Sequence, residues 1–180
     1  MHKVTLAQLK QLALQAKNDL WTLARANGRD VKVYLHWSAG HYGQFFSDYH
    51  INIDKDGGVY VSTDDLAAVL AHTWRRNSGA IGVSLAACYG ATTKNWGAEP
   101  PTIEQIEAMA QVVCVLADAL DLTIDYDRVM THAEAANEDG YGPLQTWERW
   151  DLWMIPGAAP SDGGNIIRGK ANWYRQNGVA

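Results

Sequence analysis

The sequence contains few cysteines and no long apolar run. Only two cysteines, Cys88 and Cys114, occur among 180 residues, and they lie far apart. Disulfide-held secreted domains carry a denser set, and cysteine metal sites need closely spaced pairs. We therefore expect both thiols to be reduced and buried. No apolar segment approaches the roughly 20 residues of a membrane span, so we expect no membrane insertion.

Positive charge is also scarce. Lys and Arg number 15 against 20 Asp and Glu, which gives a net charge of -5. Nothing resembles the basic stripe that neutralises phosphates, so we expect no nucleic acid partner. Polar residues interrupt the N-terminal segment every few positions and no small-residue cleavage site follows, which predicts synthesis in the cytoplasm without a signal peptide. The length suits one domain, and we expect a monomer.

The aromatic residues are unevenly distributed among types. Phe occurs twice, whereas Trp and Tyr each occur eight times. Trp and Tyr offer an apolar face with a polar edge, which suits the binding of sugars and peptides. Packing in the core explains any single Trp equally well.

Hydrophobic periodicity predicts one mixed α/β domain. We divide it into an N-terminal helix (4–27), a core (31–153) and a C-terminal tail (154–180). Strands are predicted at 31–37, in a hairpin around Lys55-Asp56-Gly57, at 80–88 and at 128–132. Helices are predicted at 64–72, after a capping box at Thr102 and Gln105, and at 166–174. The chain from 133 to the last helix is expected to be irregular. The fold class is therefore a central mixed β-sheet of about five strands flanked by helices.

Two histidines occupy the ends of predicted strands. His36 ends the first long strand, and His132 ends the last one. Ligands gather at strand ends in open α/β sheets. Two imidazoles, one carboxylate and an open fourth position make a zinc site that activates water. Most histidines in strands are structural, however, and spacing alone does not bring these two together.

Four segments of the sequence, two of which contain these histidines, follow a recognisable order. YLHWSAG, DYHINIDKDGGVYVS, AHTWRRNSGAIGVSL and MTHAEAA follow one another along the chain. In this order they resemble the type-2 N-acetylmuramoyl-L-alanine amidase family, which includes phage amidase endolysins and peptidoglycan recognition proteins. The resemblance extends over about 31–151. It implies a peptidoglycan recognition protein-like fold, a Zn²⁺ cofactor and peptidoglycan as the partner. The implied reaction is hydrolysis of the amide between the glycan lactyl group and the first L-alanine of the stem peptide.

The resemblance also implies a set of metal ligands. His36 and His132 match the two histidine ligands of the family. Asp151, in R-W-D-L-W, is the best match to the third ligand, with Asp139 second and Glu134 third. Asp151 has a structural alternative, in which it caps the next turn or pairs with Arg149.

Two further residues match catalytic positions of the family. Tyr49 corresponds to a tyrosine beside the metal that donates to the substrate oxyanion, although cross-strand packing is the ordinary role of a hairpin tyrosine. Arg149 stands where relatives carry a residue that polarises the carbonyl. A branch of the family uses a glutamate as general base where this chain has Ser84, so that route is closed.

Three residues are implied to bind substrate. His72 and Asn77 fit the family segment that contacts the stem peptide or the scissile carbonyl. Trp37 would wall the groove, as Trp74 and Trp96 could, with core packing as the alternative for each. His50, beside Tyr49, is expected to be structural.

Two other functions remain open. A non-catalytic peptidoglycan-binding module would lack a zinc ligand, and a zinc peptidase would cut within the stem peptide. The segments YGPLQTWERWDLW and GGNIIRGKANWY near the C-terminus resemble phage-encoded or prophage-encoded members, so we expect a lytic enzyme that acts on the cell wall after release. A secreted toxin or a recycling enzyme are alternatives.

Overall fold

A six-stranded mixed sheet forms the centre of the computed structural model, which describes residues 1–179. The elements in chain order are β1 (His2–Val4), α1 (Leu6–Ala26), β2 (Lys32–Trp37), β3 (Ile51–Ile53), β4 (Val59–Val61), β5 (Ala80–Leu85), α2 (Ile103–Leu120), β6 (Val129–Thr131), α3 (His132–Asp139) and α4 (Gly163–Asn177). The predicted sheet flanked by helices is confirmed. The additional strand is β1, whose three residues are too few to show an alternating pattern.

The strand order is β1-β4-β3-β5-β2-β6. Neighbouring strands from β3 to β6 are parallel, whereas β4 runs against both β3 and β1. The central strands β5 and β2 are buried along their whole length, as expected of parallel strands covered on both faces. Helix α2 packs against both α1 and α4.

The register of the parallel strands decides where the site lies. Leu35 of β2 pairs with Thr131 of β6. The residues that follow this pair are His36 and His132, so both imidazoles come to the same edge of the sheet. Equivalent ends of parallel strands always share an edge, and this is why two residues so far apart in sequence become neighbours.

Capping boxes fix the start of three helices. The Thr5 and Thr102 side chains accept from the third helical backbone N–H of α1 and α2, and Gln8 and Gln105 complete the exchange. Each box satisfies two helix-end donors that would otherwise lack partners. Thr131 and Glu134 form the same motif at α3. The predicted box at Thr102 is therefore confirmed.

Three local predictions were wrong. Residues 64–72 form turns rather than a helix, because Asp65 accepts from the Ala67 backbone N–H and so competes with helical hydrogen bonding. Residues 133–139 are helical rather than irregular, and the capping box of Thr131 and Glu134 is a sequence signal that could have predicted this helix. Helix α4 spans Gly163–Asn177 and is longer than the 166–174 predicted.

The cysteines behave as expected. Cys88 and Cys114 are both free and buried. Burial raises the pKa of each thiol, so neither is a reactive thiolate at neutral pH. Within residues 1–179, none of the helices has the length and apolar character needed to span a membrane.

Candidate metal centre and groove

Three side chains meet at the edge where β2 and β6 end. His36 is the penultimate residue of β2, His132 is the first residue of α3, and Asp151 comes from the segment between α3 and α4. The Nδ1 atoms of the two histidines are 3.0 Å apart. Asp151 Oδ2 lies 3.1 Å from Nδ1 of His36 and 3.3 Å from Nδ1 of His132. All three residues are buried.

Hydrogen bonds among these three side chains do not account for all three of their close contacts. A ring nitrogen offers either one N–H or one lone pair, so Nδ1 of His36 can serve only one of its two neighbours. A tetrahedral zinc ion with bonds of about 2.0–2.2 Å has ligand atoms roughly 3.3–3.6 Å apart. The observed separations of 3.0 to 3.3 Å approach that spacing. Two imidazoles and a carboxylate also form a donor set that zinc accepts, so the three residues could hold the ion.

The electrostatics of the cluster favour the ligating forms. Burial lowers the pKa of His36 to about 4, although the hydrogen bond with Asp151 opposes the shift. Burial alone would raise the pKa of Asp151, but the adjacent His132 and His36 outweigh it and hold this pKa below its usual range. A neutral imidazole at His36 and an ionised carboxylate at Asp151 are the states that bind metal.

The alternative third ligands have other partners. Both oxygens of Asp139 accept from Arg76, at 2.8 and 2.9 Å. Both oxygens of Glu134 accept from Arg168, at 2.7 and 2.8 Å. Each bidentate pair holds its carboxylate against an arginine, and Asp151 is the acidic residue that the fold brings to the two histidines.

Tyr49 lies beside the cluster. Its ring centroid is 5.0 Å from that of His36. Burial raises the pKa of the phenol, and the charges of Asp151 and Asp48 add to the effect, while a hydrogen bond with Ser84 opposes it. The hydroxyl therefore keeps its proton and can act as a donor. Ser84 pairs with His36 across β5 and β2, which places it at the same end of the sheet.

The cluster opens into two adjoining cavities. One of about 330 Å³ is lined by Tyr49, His132 and Asp151, with Trp37 and Arg149 at its sides. Trp37 is buried and packs edge-on against Trp150, with the two ring centroids 4.8 Å apart. A larger cavity of about 610 Å³ shares His132 and Arg149. Arg149 is exposed on the rim of both.

The loop after residue 70 forms one wall of the larger cavity. His72, Trp74, Asn77 and Tyr141 line it. The Asn77 side-chain oxygen accepts from the backbone N–H of His72 at 3.2 Å and of Thr73 at 2.8 Å. Asn77 therefore shapes the loop that carries His72, which is a role that the sequence did not indicate.

His50 and Trp96 have structural roles, and Trp74 lies at the surface. His50 Nε2 donates to the Ala68 carbonyl at 2.7 Å, and its Nδ1 accepts from the Gly82 N–H at 3.0 Å. Trp96 donates to the Met154 carbonyl and packs against the core, whereas Trp74 is largely exposed.

Sequence reasoning missed three residues near the site. Arg76 joins the loop to α3 through Asp139 and Glu138. Thr73 lies buried between histidines, and Tyr141 has a buried hydroxyl without a protein partner among residues 1–179. Long-range ion pairs leave no local sequence signal, but Thr73 directly follows His72 and could have been singled out.

Gly82 makes room for His72, and this can be tested. A Cβ at Gly82 would lie 2.7 Å from His72 Cγ. Gly82→Ala should therefore displace the ring and cost about 1–3 kcal/mol of unfolding free energy, as overpacking does. Gly169→Ala is the control, since its Cβ would meet nothing within 4 Å. That helical substitution should stabilise the fold by about 0.5–1 kcal/mol. Equal urea midpoints for the two variants would contradict the close packing.

The family comparison adds to this geometry. A family model described as N-acetylmuramoyl-L-alanine amidase matches residues 6–145. The chain belongs to this family. The match includes β2, the segment of His72 and the start of α3, and it ends before Asp151. The family match therefore does not extend to Asp151, whose place beside the two histidines is known from the geometry of this amidase-family member alone.

Several solved structures are similar at low identity. The endolysin LysCS, an N-acetylmuramoyl-L-alanine amidase from Clostridium intestinale URNW, is 17% identical over 66% of this chain and 79% of its own, with a TM-score of 0.46. The Ph2119 endolysin from a Thermus scotoductus bacteriophage is 15% identical over 79% and 84%, with a TM-score of 0.49. A complex of the peptidoglycan recognition proteins LCa and LCx with tracheal cytotoxin is 19% identical over 68% and 84%, with a TM-score of 0.45. Comparison with curated proteins gives no significant match.

Proposed function

We propose that this amidase-family chain is a zinc-dependent enzyme that hydrolyses the amide between the glycan lactyl group and the first L-alanine of the peptidoglycan stem peptide. The observation that carries the proposal is the buried triangle of His36, His132 and Asp151, which opens into a groove. Two imidazoles and one carboxylate leave a fourth position free for chemistry.

Some residues of the site would hold the metal ion, and others would stabilise the charge that develops on the substrate. His36, His132 and Asp151 would hold the ion, which when bound supplies Lewis acidity that activates water and polarises an amide carbonyl. Tyr49 donates a hydrogen bond to the oxyanion that develops on this carbonyl. Arg149 adds positive charge at the rim. Preformed donors in a buried site stabilise such charge far better than water does.

The groove walls would receive the substrate. Trp37 and Trp150 lie beside the smaller cavity, and His72 with Trp74 lines the larger one. Together the two cavities could accept an extended peptide next to a sugar. Asn77 would act here by holding the loop, with its amide nitrogen left to contact the stem peptide.

The choice between enzyme and binding module depends on Asp151. A binding module would lack a ligand, whereas Asp151 is buried against both histidines. This favours catalysis. We further propose a lytic role of phage or prophage type, for which the support is the resemblance of the C-terminal segments to such members.

Digestion of purified peptidoglycan tests the activity. We expect mass spectrometry to find intact stem peptides with a free alanine N-terminus, together with glycan that retains its lactyl group. A chelator should abolish product formation and added zinc should restore it, because neutral imidazoles and a carboxylate release metal to a stronger ligand. Cuts within the stem peptide would indicate a peptidase. Full activity in a metal-free preparation would refute the zinc site.

A further inference from the structure

A buried threonine lies between the metal cluster and His72. Thr73 Oγ1 is 3.0 Å from His72 Nδ1 and 3.5 Å from His36 Nε2. Only 2% of Thr73 is exposed, and His72 is 6% exposed. The hydroxyl therefore connects two imidazoles inside the protein, where polar groups need partners.

The direction of these hydrogen bonds follows from the proposed ligation. His36 faces the cluster with Nδ1, and a nitrogen that binds metal carries no proton. The neutral ring then carries its proton at Nε2 and donates it to Thr73 Oγ1. The separation of 3.5 Å is at the outer limit of such a bond.

The hydrogen bond from His36 also fixes the direction of the hydrogen bond between Thr73 and His72. Having accepted from His36, the hydroxyl can donate its own hydrogen to His72 Nδ1. His72 must then carry its proton at Nε2, a buried atom without a protein partner among residues 1–179.

His72 and Thr73 are themselves held in place by neighbouring residues. Gly82 lies directly against the His72 ring, with space for a hydrogen atom but not for a methyl group. Asn77 fixes the backbone of both His72 and Thr73. A rigid partner of this kind restricts the orientation of the ligand that it contacts.

We propose that Thr73 and His72 are positioning residues of the metal centre: they orient His36 and fix which of its nitrogens carries the proton. The inference rests on the proposed zinc site. Partners of this kind usually contribute 10-fold to 100-fold to metal affinity. Their role differs from substrate contact, because it acts whether or not peptidoglycan is present.

Zinc affinity measures this role without any substrate. We expect Thr73→Val, which keeps the shape and removes the hydroxyl, to bind zinc about 10-fold to 100-fold more weakly in competition with a chromogenic chelator. Thr73→Ser keeps the hydroxyl and should bind like the parent. Nitrogen-15 spectra of the zinc-loaded parent should show His72 protonated at Nε2 and unprotonated at Nδ1.

Each outcome decides the proposal. Parental zinc affinity in Thr73→Val, or a His72 proton at Nδ1 in the zinc-loaded parent, would overturn it while leaving the amidase proposal intact. A parent that binds no zinc would overturn both, and this is seen before any variant is compared. Weakened binding in both Thr73→Val and Thr73→Ser would show that packing, and not the hydroxyl, matters.

Discussion

Asp151→Ala should lose zinc and amidase activity together, whereas Asp139→Ala should keep both. Removing Asp151 leaves two imidazoles to hold the ion, so we expect zinc affinity and turnover to fall by orders of magnitude. Asp139 instead accepts from Arg76 outside the cluster. Zinc titration of each purified variant, with a peptidoglycan digest alongside, measures the difference.

Asp139→Ala is an informative control because we expect it to change stability without changing metal binding. It leaves Arg76 without one of its carboxylates, so we expect a lower unfolding midpoint with an unchanged zinc stoichiometry. Loss of metal from Asp139→Ala with retention in Asp151→Ala would reverse the assignment of the third ligand.

Tyr49→Phe should lower turnover by roughly 10²–10³-fold, the usual effect of removing one oxyanion donor. The ring stays next to His36, so zinc content and folding should be unchanged. The measurement is the initial rate of alanine N-terminus release at saturating peptidoglycan.

Tyr60→Phe is the matched control. Tyr60 lies in β4 and packs against Phe45, away from the cluster, and its variant should keep the parental rate. If Tyr49→Phe also kept that rate, Tyr49 would be a packing residue.

Much of the fold was predictable because its signals are local. The alternating pattern of β2, the nearly continuous apolar run of β5, the Asp-Gly turn and the Thr102 capping box each specify an element within a few residues. The turn at 64–72 was not predictable from apolar spacing, because the Asp65 side chain accepts a hydrogen bond from the Ala67 backbone N–H there. Sequence patterns do not record this competition between side chain and backbone.

The site was predictable only in part, for a different reason. Strand ends and family resemblance singled out His36 and His132, but their meeting depends on the register between β2 and β6. Asp139, the second candidate for the third ligand, lies in a stretch that the sequence predicts to be irregular. It is in fact the last residue of α3 and is fixed by Arg76, a partner that no local pattern reveals.

The buried pair of Glu134 and Arg168 links the packing of α4 to the assembly of the site. Arg168, on α4, also donates to the Val129 carbonyl of β6, so it touches both elements that present His132. Helix α4 also covers this carboxylate, because Gly164 lies directly against it, so Glu134 becomes buried and gains its counter-charge in the same packing step. The edge that carries His132 therefore has all of its partners only once α4, the last helix in chain order, has packed against it.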